Sequence, residues 1–285
     1  MSGVTAIEVA RELPGIGVLE FVERPRFRGY YLRRDGDGRR ERLVSVTSVL
    51  SVLAKPALIR WAEACGAAGA VRAERMGELA DVDPEEAVHR VRALGLGADA
   101  ARDEAAGRGL DVHTVLERWM TEGQPPNMAD FPADQRGYVQ GLARFLVEYD
   151  PELVWAERIV CHPRLGYAGR ADLRARVRGR DLILDLKTNR SGTGYPEAHL
   201  QVAAYAAAEV AVGEPAPDGT MVVCVGPDGR FEAMDGCAGA DAFEAVVATY
   251  RTLSDVRGRV ESTRRAARRA LAQAEAARAK EVVGA

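Results

Sequence analysis

Residues 171–187 read ADLRARVRGRDLILDLK, two alternating runs on either side of a tight turn. Side chains alternate faces along a strand, so this period of two restricts the segment to a β-hairpin. In the second run Leu182, Leu184 and Leu186 share one face, and Asp181, Ile183, Asp185 and Lys187 share the other. In the first run Ala171, Leu173, Ala175 and Val177 lie opposite Asp172, Arg174 and Arg176. The leucine side belongs against a core. Arg178, Gly179, Arg180 and Asp181 form the expected turn, with Gly179 supplying permissive backbone. With Gly179 and Arg180 at the tip, Asp172 faces Lys187 and Arg174 faces Asp185. Opposed residues project to the same side, so Asp172, Asp185 and Lys187 converge on one face. A one-residue slip would undo that convergence.

Two carboxylates and a lysine on one face suit a site that binds a divalent ion and attacks a phosphodiester. Hard oxygen ligands hold Mg²⁺ or Mn²⁺ and leave positions open for water. Such an ion polarises the scissile phosphate and acidifies a water. A neighbouring lysine can orient or deprotonate that water and offset charge in the transition state. An Asp-x-Lys triplet alone is common on surface hairpins; the shared face and the flanking residues carry the reading.

Those flanks resemble the PD-(D/E)XK nuclease superfamily, in particular its RecB-like exonuclease branch. The matching pattern is Gly169-Arg170-Ala171-Asp172, twelve intervening residues, Asp185-Leu186-Lys187-Thr188, then Gln201 and Tyr205. Asp185 stands where Glu is commoner in the family. Upstream, the stretch from Gly109 through His113 to Glu117 looks like the branch's histidine-bearing helix, and Trp155-Ala156-Glu157 like its acid-bearing strand. The resemblance implies a restriction-endonuclease-like core: a central mixed β-sheet flanked by helices, with an N-terminal helical wall. It implies that His113, Asp172 and Asp185 bind metal, with the Leu186 carbonyl and Glu157 as further ligands, and that Lys187 is catalytic together with Asp172 and Asp185. Gln201 and Tyr205, four apart and so on one helix face, would support the site or touch DNA. Arg170 would clamp phosphate or pair with a neighbouring carboxylate.

The expected cofactor is Mg²⁺ or Mn²⁺, the histidine leaning towards Mn²⁺. An iron–sulfur cluster, which some branch members carry, is not expected, because Cys65, Cys161, Cys224 and Cys237 show no cluster spacing. The expected partner is DNA, as a linear duplex end or a single strand, and a recombination partner protein is compatible. Exonuclease action is preferred to endonuclease action. A catalytically inactive nuclease-fold protein that binds DNA or serves an assembly is the alternative, against which the intact Asp172, Asp185 and Lys187 set argues.

Composition sets bounds. No run approaches the roughly 18 apolar residues of a membrane span, and the first residues lack a signal-peptide pattern, so a cytoplasmic protein is expected. No GxxxxGK[ST], GxSxG or HExxH occurs, which removes an encoded ATP motor, a serine hydrolase and a zincin. The net charge of −3 argues against indiscriminate nucleic-acid binding, but the charge is uneven. Eight arginines face three acids over residues 24–42, eight basic residues face three acids over 164–190, and nine face three over 251–280. For residues 164–190 position and chemistry coincide, and DNA contact is expected there. His89, His162 and His199 lack metal-ligand spacing; Trp61, Trp119 and Trp155 read as core anchors.

The chain reads as one α/β nuclease domain over 1–285 in four parts: an N-terminal β segment at 1–48, a helical subregion at 49–150, the sheet and helix of the site at 151–235, and a C-terminal helix at 236–285. A hairpin turns at Asp35-Gly36-Asp37-Gly38, Thr47 or Ser48 caps the next helix, helix runs over 49–94 and again to Met120 after Gly95, and 133–149 is helical. Strands are expected near 153–161, 168–177, 181–187, 220–225 and 230–234, with helices at 196–211 and 240–280, the last interrupted at Gly258.

Overall fold

The computed structural model describes residues 9–24, 27–36, 38–189 and 194–283, with side chains through residue 273. Asp37 of the expected turn, and Arg26 and Arg190 of the basic runs, lie outside the described residues. The architecture is α/β, built on a nine-stranded mixed sheet with helices packed against it.

An antiparallel meander leads: β1 (Val9–Leu13), β2 (Gly17–Arg24), β3 (Phe27–Arg34) and β4 (Arg40–Ser45). The chain then turns into α1 (Val46–Val49), a short 3₁₀ turn, α2 (Pro56–Arg75), α3 (Pro84–Ala93), α4 (Ala98–Glu122) and α5 (Ala133–Tyr149). Next come β5 (Glu152–His162), β6 (Tyr167–Val177), β7 (Arg180–Thr188), α6 (Pro196–Ala211), β8 (Gly219–Val225), β9 (Phe231–Asp235) and α7 (Ala240–Val283).

Three local expectations are corrected. Residues 49–94 are not one helix: Pro56 opens α2 at its first position, and Asp83 caps α3 by accepting from the amides of Glu85 and Glu86. Ser45, rather than Thr47 or Ser48, caps α1, because β4 runs to Ser45 and its hydroxyl then meets the Ser48 amide at 3.0 Å. Helix α7 continues through Gly258 without a break.

Strand β6 organises the sheet. One edge pairs antiparallel with β5 along its whole length. The other edge is shared. Its first residues pair parallel with β4 (Val44↔Tyr167, Ser45↔Ala168), and its last five pair antiparallel with β7 (Leu173↔Leu184 to Val177↔Arg180). Residues 169–172 therefore lie in a fork between β4 and β7, where main-chain groups and side chains are free to serve a site. Beyond β7 the sheet continues parallel to β8, then antiparallel to β9.

Both faces of this sheet are covered. On one, Leu182, Leu184, Leu186, Leu173 and Val223 pack against Val112 and Leu116 of α4 and Val139, Leu142 and Phe145 of α5. On the other, Ile183 and Ala171 meet Ala204, Tyr205 and Ala208 of α6 and Phe243 and Val247 of α7. Helix α5 lies so close to the β8–β9 turn that a Cβ on Gly137 would fall 1.8 Å from the Pro227 carbonyl oxygen. The leucine side is thus core as expected, but Asp185 is buried too, at 0 % exposure. Among the described residues no helix is long and apolar enough to cross a membrane.

Candidate metal centre

Five elements supply the expected residues: α4 gives His113, β5 Glu157, β6 Arg170 and Asp172, β7 Asp185 and Lys187, and α6 Gln201 and Tyr205.

The hairpin register differs from expectation. Arg178 (φ 51°) and Gly179 (φ 79°) form the tip, both left-handed, and Val177 pairs with Arg180. Two successive positive φ values match the strand twist of a two-residue hairpin. Asp172 therefore does not face Lys187. One step past the last ladder pair, Leu173↔Leu184, it comes opposite Asp185. Likewise Arg174 faces Ile183, not Asp185, and forks onto Asp181 with two 2.8 Å hydrogen bonds plus one to the Pro215 carbonyl. The displacement along β7 is two residues, so Asp185 and Lys187 keep their shared face. On β6 the expected alternation breaks at Asp172: Ala171 packs with Ile183 and Tyr205, whereas Leu173 packs with Leu184. The ladder stops where it does for a chemical reason: Asp172 Oδ2 takes the Leu186 amide at 2.7 Å. A side chain thereby replaces a backbone partner at the head of the fork.

Glu157 reaches the centre through a bulge. Strand β5 starts in the register Glu152↔Arg176 and Leu153↔Ala175, inserts one residue, and resumes as Trp155↔Arg174. Without the insertion Glu157 would oppose Ala171 and point to the other side of the sheet. With it, Glu157 lies opposite Asp172, between the pairs Ala156↔Leu173 and Arg158↔Ala171. Glu157 itself has φ 48°, a left-handed conformation that costs a side chain about 1–2 kcal/mol.

His113 comes from α4, on the leucine side. Because the β6–β7 ladder has ended, it reaches in, placing Nδ1 3.5 Å from Asp172 Oδ1 and 4.0 Å from Glu157 Oε1. One ligand atom from each of His113, Glu157 and Asp172 can be chosen so that all three lie within 4.8 Å of one another. Beside them Lys187 Nζ is 2.6 Å from Asp185 Oδ2 and donates to Gln201 Oε1 at 3.2 Å, while Gln201 Nε2 donates to the Tyr205 hydroxyl at 2.8 Å. Tyr205 stands against bare backbone: a Cβ on Gly169 would lie 2.5 Å from its ring. That contact explains why a glycine precedes Arg170.

The electrostatics describe a centre short of positive charge. Burial and the Asp172 charge push the Glu157 carboxyl up to about 7, against the opposing pull of His113. Burial pushes Asp185 up to about 6 despite Lys187. Burial alone would lower His113, but Asp172 and Asp185 outweigh it and raise it to about 9. Burial would raise Asp172, yet His113, Lys187 and the Leu186 amide hold it below the usual carboxylate range. Lys187 is likewise held above its ordinary value, burial being outweighed by Asp185 and Asp172. Asp185 Oδ1 is buried with no hydrogen-bond partner. The His113 imidazole with the crowded Glu157 and Asp172 carboxylates fits a divalent cation with hard and borderline ligands, and Asp185, an expected ligand, stands outside that group of three.

Arg170 stacks over the Phe21 ring (4.7 Å), and its buried Nε faces Glu157 Oε2 at 3.9 Å as an ion pair without a hydrogen bond. Pairing with the carboxylate, one of its two expected roles, is what the geometry holds. Leu186 buries its side chain in the core and gives its amide to Asp172. His162 accepts the Leu165 amide at Nδ1; His89 and His199 stand outside the metal cluster. Trp155 is buried in the core beneath α6 and α7, Trp119 packs against the core beneath α4 and α5, and Trp61 is half-buried on α2. The four cysteines are free and lie on α2, β5, β8 and beyond β9. Phe21, which backs Arg170, carried no sequence signal beyond that of a core strand residue.

No protein-family model matches the chain, and no curated protein matches it.

Proposed function

We propose that the protein is a metal-dependent deoxyribonuclease of the PD-(D/E)XK superfamily, with a restriction-endonuclease-like core, that hydrolyses phosphodiester bonds and acts as an exonuclease. The observation that carries the proposal is the convergence of His113, Glu157 and Asp172 beside the buried Asp185–Lys187 pair. His113, Glu157, Asp172 and Asp185, with the Leu186 carbonyl, would hold Mg²⁺ or Mn²⁺. When bound, the ion would supply Lewis-acid polarisation of the phosphate and a more acidic water.

The chain's own residues do the rest. The Leu186 amide fixes the Asp172 carboxylate and so the spacing of the ligand set. Lys187, an ammonium clamped between Asp185 and Gln201, presents positive charge where a phosphate in attack gains negative charge. Gln201, itself held by Tyr205, fixes the direction of the lysine. Arg170 adds a second cation behind Glu157.

Purified protein with Mn²⁺ or Mg²⁺ should release nucleotides from linear DNA and leave covalently closed circles intact. Nicking or linearisation of circles at a similar rate would replace the exonuclease reading by an endonuclease one. Salt-sensitive DNA binding without cleavage under either metal would favour the inactive nuclease-fold alternative.

A further inference from the structure

Helix α7 is fixed to the core only at its start. Phe243 and Val247 are buried in the cluster that holds Tyr205, and Arg251 ties the helix to the β5–β6 turn through the Leu165 carbonyl at 2.6 Å. From Asp255 to Gln273 every residue is exposed. That is about 28 Å of helix with no buried face. An isolated surface of this kind gains nothing from packing, so its side chains state its use.

This arm carries six arginines against two acids, Asp255 and Glu261. Glu261 lies 3.9 Å from Arg265. Among the described residues, Arg257, Arg264 and Arg268 have no carboxylate partner. At 100° per residue these three fall within about 40° of arc, a row about 16 Å long. One strand of duplex DNA presents about five phosphates over that length. Apolar residues of the arm, Val256, Val260 and Leu271, lie along one side of the row. In a symmetric pair of arms they would bring arginine beside arginine with no acid row to receive them, so charge disfavours a second copy and favours a polyanion.

We infer that the exposed half of α7 is a DNA-backbone-binding arm, which grips duplex away from the metal centre through Arg257, Arg264 and Arg268. The choice of DNA among polyanions rests on the proposed nuclease activity. The contact is with phosphate, so it is independent of sequence and sensitive to salt.

The test is binding of a labelled blunt duplex by the full chain in EDTA, over a salt series, for wild type, R257Q/R264Q/R268Q and R257K/R264K/R268K. The Gln variant should bind about tenfold more weakly at low salt, with the slope of log K against log salt reduced by roughly 2 to 3, while the Lys variant keeps both near wild type. Equal thermal midpoints and equal far-UV circular dichroism would show that the core is intact. An unchanged slope and affinity in the Gln variant overturns the inference, as does concentration-dependent self-association of wild type that the Gln variant alters with DNA binding unmoved. Binding is read without metal, so failure of the nuclease proposal would appear separately, as loss of cleavage with this contact preserved.

Discussion

Asp185 lies wholly inside the protein, one oxygen against Lys187 and the other without a partner. A buried carboxylate costs several kcal/mol unless a cation or hydrogen bonds share it, and Lys187 shares only one side. On the proposed reading a divalent ion shares the other. Asp185→Ala and Lys187→Ala should each lower metal-dependent cleavage at least 100-fold with far-UV circular dichroism unchanged, as measured by initial rates on linear duplex. Gln201→Ala, which frees the lysine without removing it, should cost about tenfold in rate. Ligands that share an ion also share its stabilisation. Saturating Mn²⁺ should raise the wild-type melting midpoint by about 5 °C, and His113→Ala or Asp172→Ala should abolish most of that rise. An equal rise in all three proteins would place the ion elsewhere.

The β6–β7 hairpin sets which residues meet, and its register is held from outside the centre. Arg174 bonds Asp181 in a two-pronged contact that the tip at Arg178-Gly179 permits. Asp181 sits below the usual carboxylate range because of its hydrogen bonds with Arg174. A depressed folded value means stability that is present above the unfolded carboxylate value and is lost as pH falls through the folded one. Asp181→Asn should therefore lower stability by about 1 kcal/mol at neutral pH, with the gap to wild type closing in urea titrations as pH falls below the ordinary aspartate value of about 3.9. Gly169→Ala would drive a methyl into Tyr205 and should cost about 1–3 kcal/mol as well as activity. These elements also show what a sequence can disclose. Period-two alternation disclosed the two strands and the leucine core, because a strand has only two faces, but it put Ala171 on the wrong one. The tip escaped, since nothing marks Arg178 as a left-handed arginine. So did the route by which Glu157 arrives: one extra residue in β5 decides its face, and a bulge leaves no trace in the alternation of ELVWAE. His113 was legible only through family resemblance, because α4 reads locally as a helix with a leucine face.

At the scale of the whole molecule, the N-terminal meander and the helix carrying Gln201 are joined by a buried carboxylate. Glu209 of α6 is fully buried and meets Arg11 of β1 and Arg158 of β5, at 2.5 and 3.4 Å. Removing Glu209 leaves Arg11 and Arg158 to share Glu214 alone, so Glu209→Ala should lose about 1–3 kcal/mol in chemical denaturation. The same fold keeps the centre at the fork between β4 and β7, backed by α4 on one side and α6 on the other. The central claim is that this fork hydrolyses phosphodiesters. Its most direct test is the rate of acid-soluble nucleotide release from linear duplex DNA with Mn²⁺, measured side by side for wild type and Asp185→Ala. The account predicts release by wild type that EDTA abolishes and that falls at least 100-fold in the variant. Equal release by the two proteins, or none from wild type with either metal, would contradict it.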